Sequence, residues 1–217
     1  MSSLPFEFFF FAGFVSAGLS FSIAYLMLVS FRRVRSEYLL GFPIGFSLVG
    51  FSYALFGLSY LMPFPEDIAS WLYLILSCYG FAFLAFTYLF RKSNVTSVTR
   101  GPRFWYFLLV IFATVVVLAV FLSMSFLPSF QDADGFFRVV NLLFIGYIIY
   151  SLNQALKAQV ELSSVVLGFT FLAIEQCSLL LWVLDQRFVW AFLFAQLVRI
   201  VGLAIFVTFI VKGFGRR

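Results

Sequence analysis

Seven long stretches of this sequence carry no charged side chain, apart from one residue in each of the last two. About 20 apolar residues of helix match the hydrocarbon thickness of a bilayer, so every stretch is long enough to cross one. Strands of a membrane β-barrel would alternate in polarity, whereas the run 104–122 is apolar on every side. We therefore expect an all-α membrane protein, a seven-transmembrane-helix bundle that forms a single domain over residues 1–217. The predicted spans are 8–31, 38–62, 68–90, 104–127, 139–156, 163–184 and 188–211.

The placement of lysine and arginine predicts the orientation of this bundle. Eleven of the 14 lie in the loops that follow the first, third and fifth spans and in the tail, whereas the opposite side has only Arg138 and Arg187. The positive-inside rule then puts the N-terminus outside and the C-terminus in the cytoplasm, most simply across a plasma membrane. The basic loops would attract anionic lipid headgroups and offer a contact for a membrane or cytoplasmic protein partner, so we expect no nucleic acid.

Composition agrees with this interpretation and excludes a water-soluble fold. Hydrophobic residues make up 64% of the chain and charged residues 11%, against about 25% charged residues in soluble domains. The lipid bilayer is therefore the first expected partner of the protein.

Small residues occur at spacings that let helices approach closely in lipid. Gly41 and Gly45 form such a pattern in the second span, and we expect it to serve packing inside the bundle. Short matches between the second and third helices and the sixth and seventh have two interpretations. One is a parallel three-plus-one-plus-three duplication, since duplicated halves are common among transporters. The other is chance matching in a chain rich in phenylalanine and leucine. The matched segments are 40–42 with 167–169 and 80–82 with 202–204.

Glu175 and Arg199 are the two charges inside the predicted spans. An ionised side chain near the bilayer midplane costs about 2.5–3.5 kcal/mol on insertion scales, so such residues mark functional sites. Glu175 lies ten residues before Asp185, and Arg199 lies twelve after Arg187. At 1.5 Å per residue their depths are about 15 and 18 Å. Adjacent antiparallel helices would therefore place them side by side as a mutually stabilising pair.

Three further polar residues are predicted at a similar depth and complete the candidate binding site. They are Gln176 on the sixth helix, Gln196 on the seventh and Ser77 on the third. A pocket between these helices is one interpretation, with a ligand, ion or proton bound at Glu175 and Arg199. The other is that the pair only fixes the register of two helices and that the glutamines form interhelical hydrogen bonds.

The sequence offers little for catalysis or for metal binding. It has no histidine, and its two cysteines, Cys78 and Cys177, fall inside predicted spans. It also has no glycine-rich phosphate loop, no serine elbow and no DxxD pair of carboxylates at a membrane face that would hold Mg²⁺. We therefore expect no enzyme, no cofactor and no metal site.

Two short segments, 69–73 and 199–202, resemble the third and seventh helices of microbial rhodopsins. Seven helices with an external N-terminus are also the architecture of opsins. A retinal Schiff base requires a lysine in the middle of the seventh helix, but Lys212 lies at its end. The resemblance therefore implies an opsin-like architecture without retinal, and it identifies no family.

These features favour a small transporter that binds a polar solute, ion or proton at an intramembrane Glu/Arg site. The alternative is a seven-helix sensor or receptor-like protein, or an accessory subunit of a membrane complex, in which the same pair acts as a switch or as a structural contact.

Overall fold

A computed structural model describes residues 6–34, 37–60, 66–93, 102–122, 130–156 and 163–215. Within these ranges the chain forms seven α-helices and a short 3-10 helix at Glu37–Leu40, which runs directly into the second helix. Helices satisfy their own backbone hydrogen bonds, as lipid requires. The helices are α1 (Phe6–Val34), α2 (Gly41–Leu58), α3 (Glu66–Ser93), α4 (Pro102–Leu122), α5 (Phe130–Leu156), α6 (Ser163–Leu184) and α7 (Val189–Gly215).

Six of these helices are long and apolar enough to cross a membrane, which is consistent with a helical membrane bundle and confirms the helical prediction. The apolar part of α4 among the described residues, Tyr106–Val116, is shorter than a span, so a seventh crossing stays a prediction. The orientation also stays a prediction, and the outer and cytoplasmic ends of the bundle are named according to it. The six spans are Glu7–Arg32, Gly41–Leu58, Ile68–Leu89, Ala133–Gln154, Ser163–Leu184 and Val189–Lys212.

The six long helices form a closed ring. In order around it, α1 packs on α2, α2 on α3, α3 on α5, α5 on α6, α6 on α7 and α7 on α1. We call α1–α3 the first half of the ring and α5–α7 the second half. Helix α4 lies outside the ring against α3 and the 3-10 helix, and many of its described apolar side chains are exposed. The ring therefore omits α4, and α3 packs directly against α5.

Glycine pairs allow close helix crossings at matching places in the two halves. A methyl group added at Gly80 would lie 2.9 Å from the Gly45 oxygen and 3.1 Å from the Val49 nitrogen. In the second half, a methyl group at Gly202 would lie 3.3 Å from the Gly168 oxygen and 3.7 Å from the nitrogen of Leu172, four residues further on. The crossing of α2 with α3 thus has the same backbone arrangement as that of α6 with α7.

This arrangement supports the repeat suggested by the sequence and changes its alignment. Gly80 corresponds to Gly202, as the sequence matches proposed, but Gly45 rather than Gly41 corresponds to Gly168. The difference arises because the sequence match relied on flanking leucine and phenylalanine, which are abundant throughout the chain. Gly41 packs against Thr87 and Tyr106 instead.

Helix α5 begins earlier than the predicted fifth span. It starts at Phe130 rather than near residue 139, and it carries Asp134 and Arg138 on its first turns. Both residues were expected in an outer loop, yet each is only 3% exposed. The reason is that they are four residues apart on one helix face, where Arg138 Nε donates to Asp134 Oδ1 at 2.9 Å.

Candidate functional site

Glu175 and Arg199 meet inside the ring, as their depths predicted. Arg199 Nη1 lies 3.5 Å from Glu175 Oε1, and both side chains are fully buried. Glu175 sits mid-way along α6 and Arg199 mid-way along α7, which are neighbouring helices. Opposite charges at this separation in a low-dielectric interior offset much of each other's desolvation.

The first half of the ring supplies three contacts to this pair. Tyr53 on α2 donates its hydroxyl to Glu175, with Oε2 at 3.3 Å and Oε1 at 3.5 Å. The Arg199 guanidinium lies over the Tyr53 ring, 4.2 Å from its centroid, where the ring face attracts a cation. Arg199 Nε also donates to Ser16 Oγ of α1 at 2.9 Å, and Nη2 donates to Gln196 of its own helix. We call these five residues the Glu175 centre.

A second polar group, the Arg138 centre, lies toward the outer end of the ring. Arg138 Nη1 donates to the Tyr73 hydroxyl at 3.1 Å and to Gln176 Oε1 at 3.3 Å. The same Gln176 oxygen accepts from Asn141 Nδ2 at 3.2 Å. Because Gln176 follows Glu175 directly in α6, it links the two centres. The centre comprises Asp134, Arg138, Tyr73, Asn141, Ser77 and Gln176.

Several buried polar atoms in these centres have no hydrogen bond within the described part of the chain. They are Asn141 Oδ1, Gln176 Nε2 and Arg199 Nη1, together with Ser20 Oγ one turn from Ser16. A buried donor or acceptor without a partner costs about 1–3 kcal/mol, so it marks a place where a polar molecule can gain binding energy. The site thus has hydrogen-bonding capacity in addition to its internal bonds.

A cavity of about 160 Å³ opens at the outer end of the ring and reaches Asp134 and Arg138. Helices α2, α3, α5, α6 and α7 all contribute to its wall. Tyr60 lies just beyond the end of α2, and burial raises the pKa of its phenol to about 12, so it is neutral at physiological pH. We call this cavity the vestibule. Its other lining residues are Phe56, Ser59, Ala69, Ser70, Tyr73, Trp182 and Phe192.

An aromatic plug closes the ring on the cytoplasmic side of the Glu175 centre. It consists of Phe46, Phe169 and Phe206, all at most 2% exposed. The Phe206 ring packs edge-on against both others, with centroids 5.5 Å from Phe46 and 4.8 Å from Phe169. Beyond the plug lies a larger, mainly apolar cavity of about 280 Å³, which Phe46 and Phe206 also line. Two cavities therefore approach the buried charges from opposite ends.

The predicted site residues fall into two groups in the structure. Gln196 joins Glu175 and Arg199, whereas Gln176 and Ser77 belong to the Arg138 centre, with Ser77 3.5 Å from Asn141. Sequence reasoning missed Tyr53 and Ser16, which lack any distinguishing pattern. It also assigned Asp134 and Arg138 to a loop, although their spacing of four residues next to an apolar run indicates a helix.

Among the described residues, no group of three or more His, Cys, Asp or Glu side chains could hold a metal ion. The chain matches no known protein family, no curated protein and no solved structure. The functional proposal therefore depends on the geometry of the two centres, the two cavities and the plug between them.

Proposed function

We propose that this protein is a small transporter of the plasma membrane, without enzymatic activity, that carries a polar solute or ion through the centre of its helix ring. Glu175 is the titratable group and Arg199 is its counter-charge. The observation that carries the proposal is the position of this ion pair. It belongs to the second half of the ring but is held by Ser16 and Tyr53 of the first.

Contacts of this kind suit a protein whose halves move relative to each other. Transporters built from repeats bind their substrates near the midplane, between the repeats, and expose the site to each side in turn. Here the Arg199–Ser16 and Tyr53–Glu175 hydrogen bonds link the buried ion pair to the first half of the ring. A proton or a solute bound at Glu175 competes with Arg199 for the carboxylate and weakens both links.

The two cavities differ in their access to the buried charges, and this difference suggests which side of the bundle opens when the halves move. In the described state the vestibule leads from the outer end to the Arg138 centre, and the plug separates the charges from the cytoplasmic cavity. Because Phe46 is in the first half and Phe169 and Phe206 are in the second, a relative movement of the halves separates these rings. That movement would open the path on the cytoplasmic side.

A flux assay tests the proposal. Purified protein in liposomes with a trapped pH-sensitive dye should acidify or alkalinise the lumen when a pH gradient or a solute gradient is applied. Glu175→Gln removes the titratable group at nearly constant volume and should lower this flux at least about tenfold, since transport requires breaking and remaking the pair. Glu7→Gln makes the same chemical change at an exposed position of α1 and should leave flux unchanged.

The sensor or accessory-subunit alternative has one observation in its favour, the position of α4 outside the ring. Its described exposed side chains include Phe107, Phe112 and Leu118, which would contact either lipid or a membrane partner. Under this alternative the liposomes show no flux above the protein-free level, and a partner protein co-purifies from the native membrane. That pair of results would reject transport.

A further inference from the structure

The vestibule combines groups that bind opposite charges within one small cavity. Arg138 and Asp134 line it at the base, and five aromatic rings form much of its wall. These groups point to a substrate class for the vestibule, whose physiological role rests on the proposed transport. The binding site itself is tested separately from transport.

The Arg138 guanidinium provides the anion-binding half. Described residues use its Nε, which donates to Asp134, and its Nη1, which donates to Tyr73 and Gln176. Within the described ranges this leaves Nη2 without a hydrogen bond, on the planar edge that suits a carboxylate. Because Tyr73 and Gln176 fix the guanidinium in place, little side-chain entropy is lost when a carboxylate binds.

Asp134 and the aromatic rings provide the cation-binding half. Arg138 uses Oδ1 of Asp134, and within the described ranges Oδ2 accepts no hydrogen bond. The rings of Trp182 and Phe192 pack at 4.8 Å between centroids. Phe56 lies 6.2 Å from Phe192, but the Arg199 guanidinium already lies 5.6 Å from the Phe56 centroid, so Trp182 and Phe192 provide the cation-binding faces. Such connected ring faces attract an ammonium group, and a trimethylated one is bound without the need for hydrogen bonds.

We propose that the vestibule binds a small zwitterion, with its carboxylate on Arg138 and its ammonium group between Asp134 and the aromatic wall. An anion bound to Arg138 would be repelled by the carboxylate of Asp134. A cation bound to Asp134 would be repelled by the guanidinium of Arg138. A zwitterion matches both charges and leaves the site neutral. The cavity volume of about 160 Å³ equals that of about five waters, since each water occupies about 30 Å³ in the liquid. A ligand of this site must therefore be compact.

Two kinds of ammonium group fit this site, a trimethylated one and a primary one, and a binding experiment distinguishes them. Labelled glycine betaine and labelled L-alanine are bound to purified protein in detergent, and unlabelled acetate and choline compete at equal ionic strength. We expect at least one zwitterion to bind about tenfold or more tightly than acetate and choline. Preference for glycine betaine assigns the ammonium to the aromatic wall, and preference for L-alanine assigns it to Asp134. Equal competition by acetate or choline, or no binding of either zwitterion at millimolar concentration, overturns the proposal.

Two substitutions locate the binding. Arg138→Lys keeps the charge but loses the planar fork, and we expect it to weaken zwitterion binding at least about tenfold. If that variant does not fold, Phe192→Leu still tests the site, since loss of one ring contact weakens binding about three- to tenfold. Phe194→Leu is the matched control, because Phe194 is exposed on the same helix and should not affect binding. Equal effects of the two leucine substitutions place the ligand elsewhere and contradict the proposal.

The binding and flux experiments fail independently. Zwitterion binding without flux rejects the transporter and keeps the vestibule site, whereas flux without zwitterion binding keeps the transporter and rejects this substrate class.

Discussion

The two halves of the ring have the same crossing geometry and different chemistry. Counted from the crossing glycines, Arg199 precedes Gly202 by three residues, as Ser77 precedes Gly80. Glu175 follows Gly168 by seven residues, and Ser52 follows Gly45 by the same number. The ion pair of the second half therefore corresponds to two serines in the first. Helix packing is shared by the halves, whereas charge is concentrated in one of them.

This asymmetry indicates what each half contributes to the site. Ser52 donates to Val49 of its own helix at 2.7 Å, so it takes no part in the contact between halves. Tyr53, the next residue, corresponds to Gln176 and reaches across to Glu175. The first half thus provides hydrogen bonds and an aromatic face, and the second provides the charges. Substitutions at corresponding positions test this division directly.

The largest expected effect follows loss of one member of the ion pair. Arg199→Met leaves the Glu175 carboxylate buried without its counter-charge and should lower the free energy of unfolding by about 3–5 kcal/mol. Unfolding is measured by SDS titration in mixed micelles, followed by tryptophan fluorescence. Arg187→Met, at an exposed position between α6 and α7, is the control and should have little effect.

The double variant Glu175→Gln/Arg199→Met sharpens this result. It removes both charges, so we expect it to recover most of the stability lost in Arg199→Met. A double variant as unstable as the single one would show that the arginine stabilises the fold through its other contacts, with Ser16, Gln196 and Tyr53, rather than through the carboxylate.

The glycine crossings should give the next largest effects, and unequal ones. A methyl group at Gly80 would lie 2.5 Å from Val49 Cγ2, in addition to its close contacts with the α2 backbone. We expect Gly80→Ala to destabilise by about 1–3 kcal/mol, the range for overpacked sites. Gly202→Ala should cost less, because its nearest contact would be Phe171 Cβ at 2.9 Å rather than a methyl carbon at 2.5 Å, and its nearest backbone oxygen is 3.3 Å away rather than 2.9 Å.

Gly146→Ala controls for the loss of a glycine inside a helix. A methyl group there would meet nothing within 4 Å in the described part of the chain. Alanine favours helix formation, so this variant should be neutral or slightly stabilised. Equal destabilisation by Gly80→Ala and Gly146→Ala in the same unfolding assay would break the assignment of Gly80 to a close crossing.

The contribution of the first half is tested by Tyr53→Phe. This change keeps the ring beneath Arg199 and removes the hydroxyl that donates to Glu175, so we expect a loss of about 1 kcal/mol. Tyr25→Phe is the matched control on α1, where Tyr25 is 66% exposed. In the liposome assay Tyr53→Phe should also change flux, because it removes one of the two hydrogen-bonded links between the ion pair and the first half. A variant unchanged in both stability and flux would remove Tyr53 from the site.

The sequence predicted the helices and the buried pair because both depend on one-dimensional quantities. Span length follows from apolar runs, and the meeting of Glu175 with Arg199 follows from similar depths on consecutive helices. It could not predict that α4 lies outside the ring, since its composition is as apolar as that of its neighbours. Because α4 lies outside the ring, α3 contacts α5 directly, and the sequence alone does not predict this contact.

The rest of the site depends on contacts distant in sequence. Ser16 is 183 residues from Arg199, and Tyr53 is 122 residues from Glu175. Serine and tyrosine are common in membrane helices, so neither residue stands out without knowledge of its partner. Asp134 and Arg138 were misplaced for a different reason. A single charge near the end of an apolar run indicates a loop. Two opposite charges four residues apart can pair on one face of a helix, and this pairing allows both to be buried there.

The smallest expected effect is at Ser77, the counterpart of Arg199 in the first half. Its only hydrogen bond to another helix in the described part of the chain is with Asn141, at a long 3.5 Å. Ser77→Ala should therefore cost about 0.6 kcal/mol, the average for interhelical hydrogen bonds in membranes. Since Arg199→Met should cost several times more at the corresponding position, the ratio of the two losses measures how far the chemistry is confined to the second half. Comparable losses would mean that the first half carries an equally important polar contact at this depth, and the division between scaffold and charge would no longer hold.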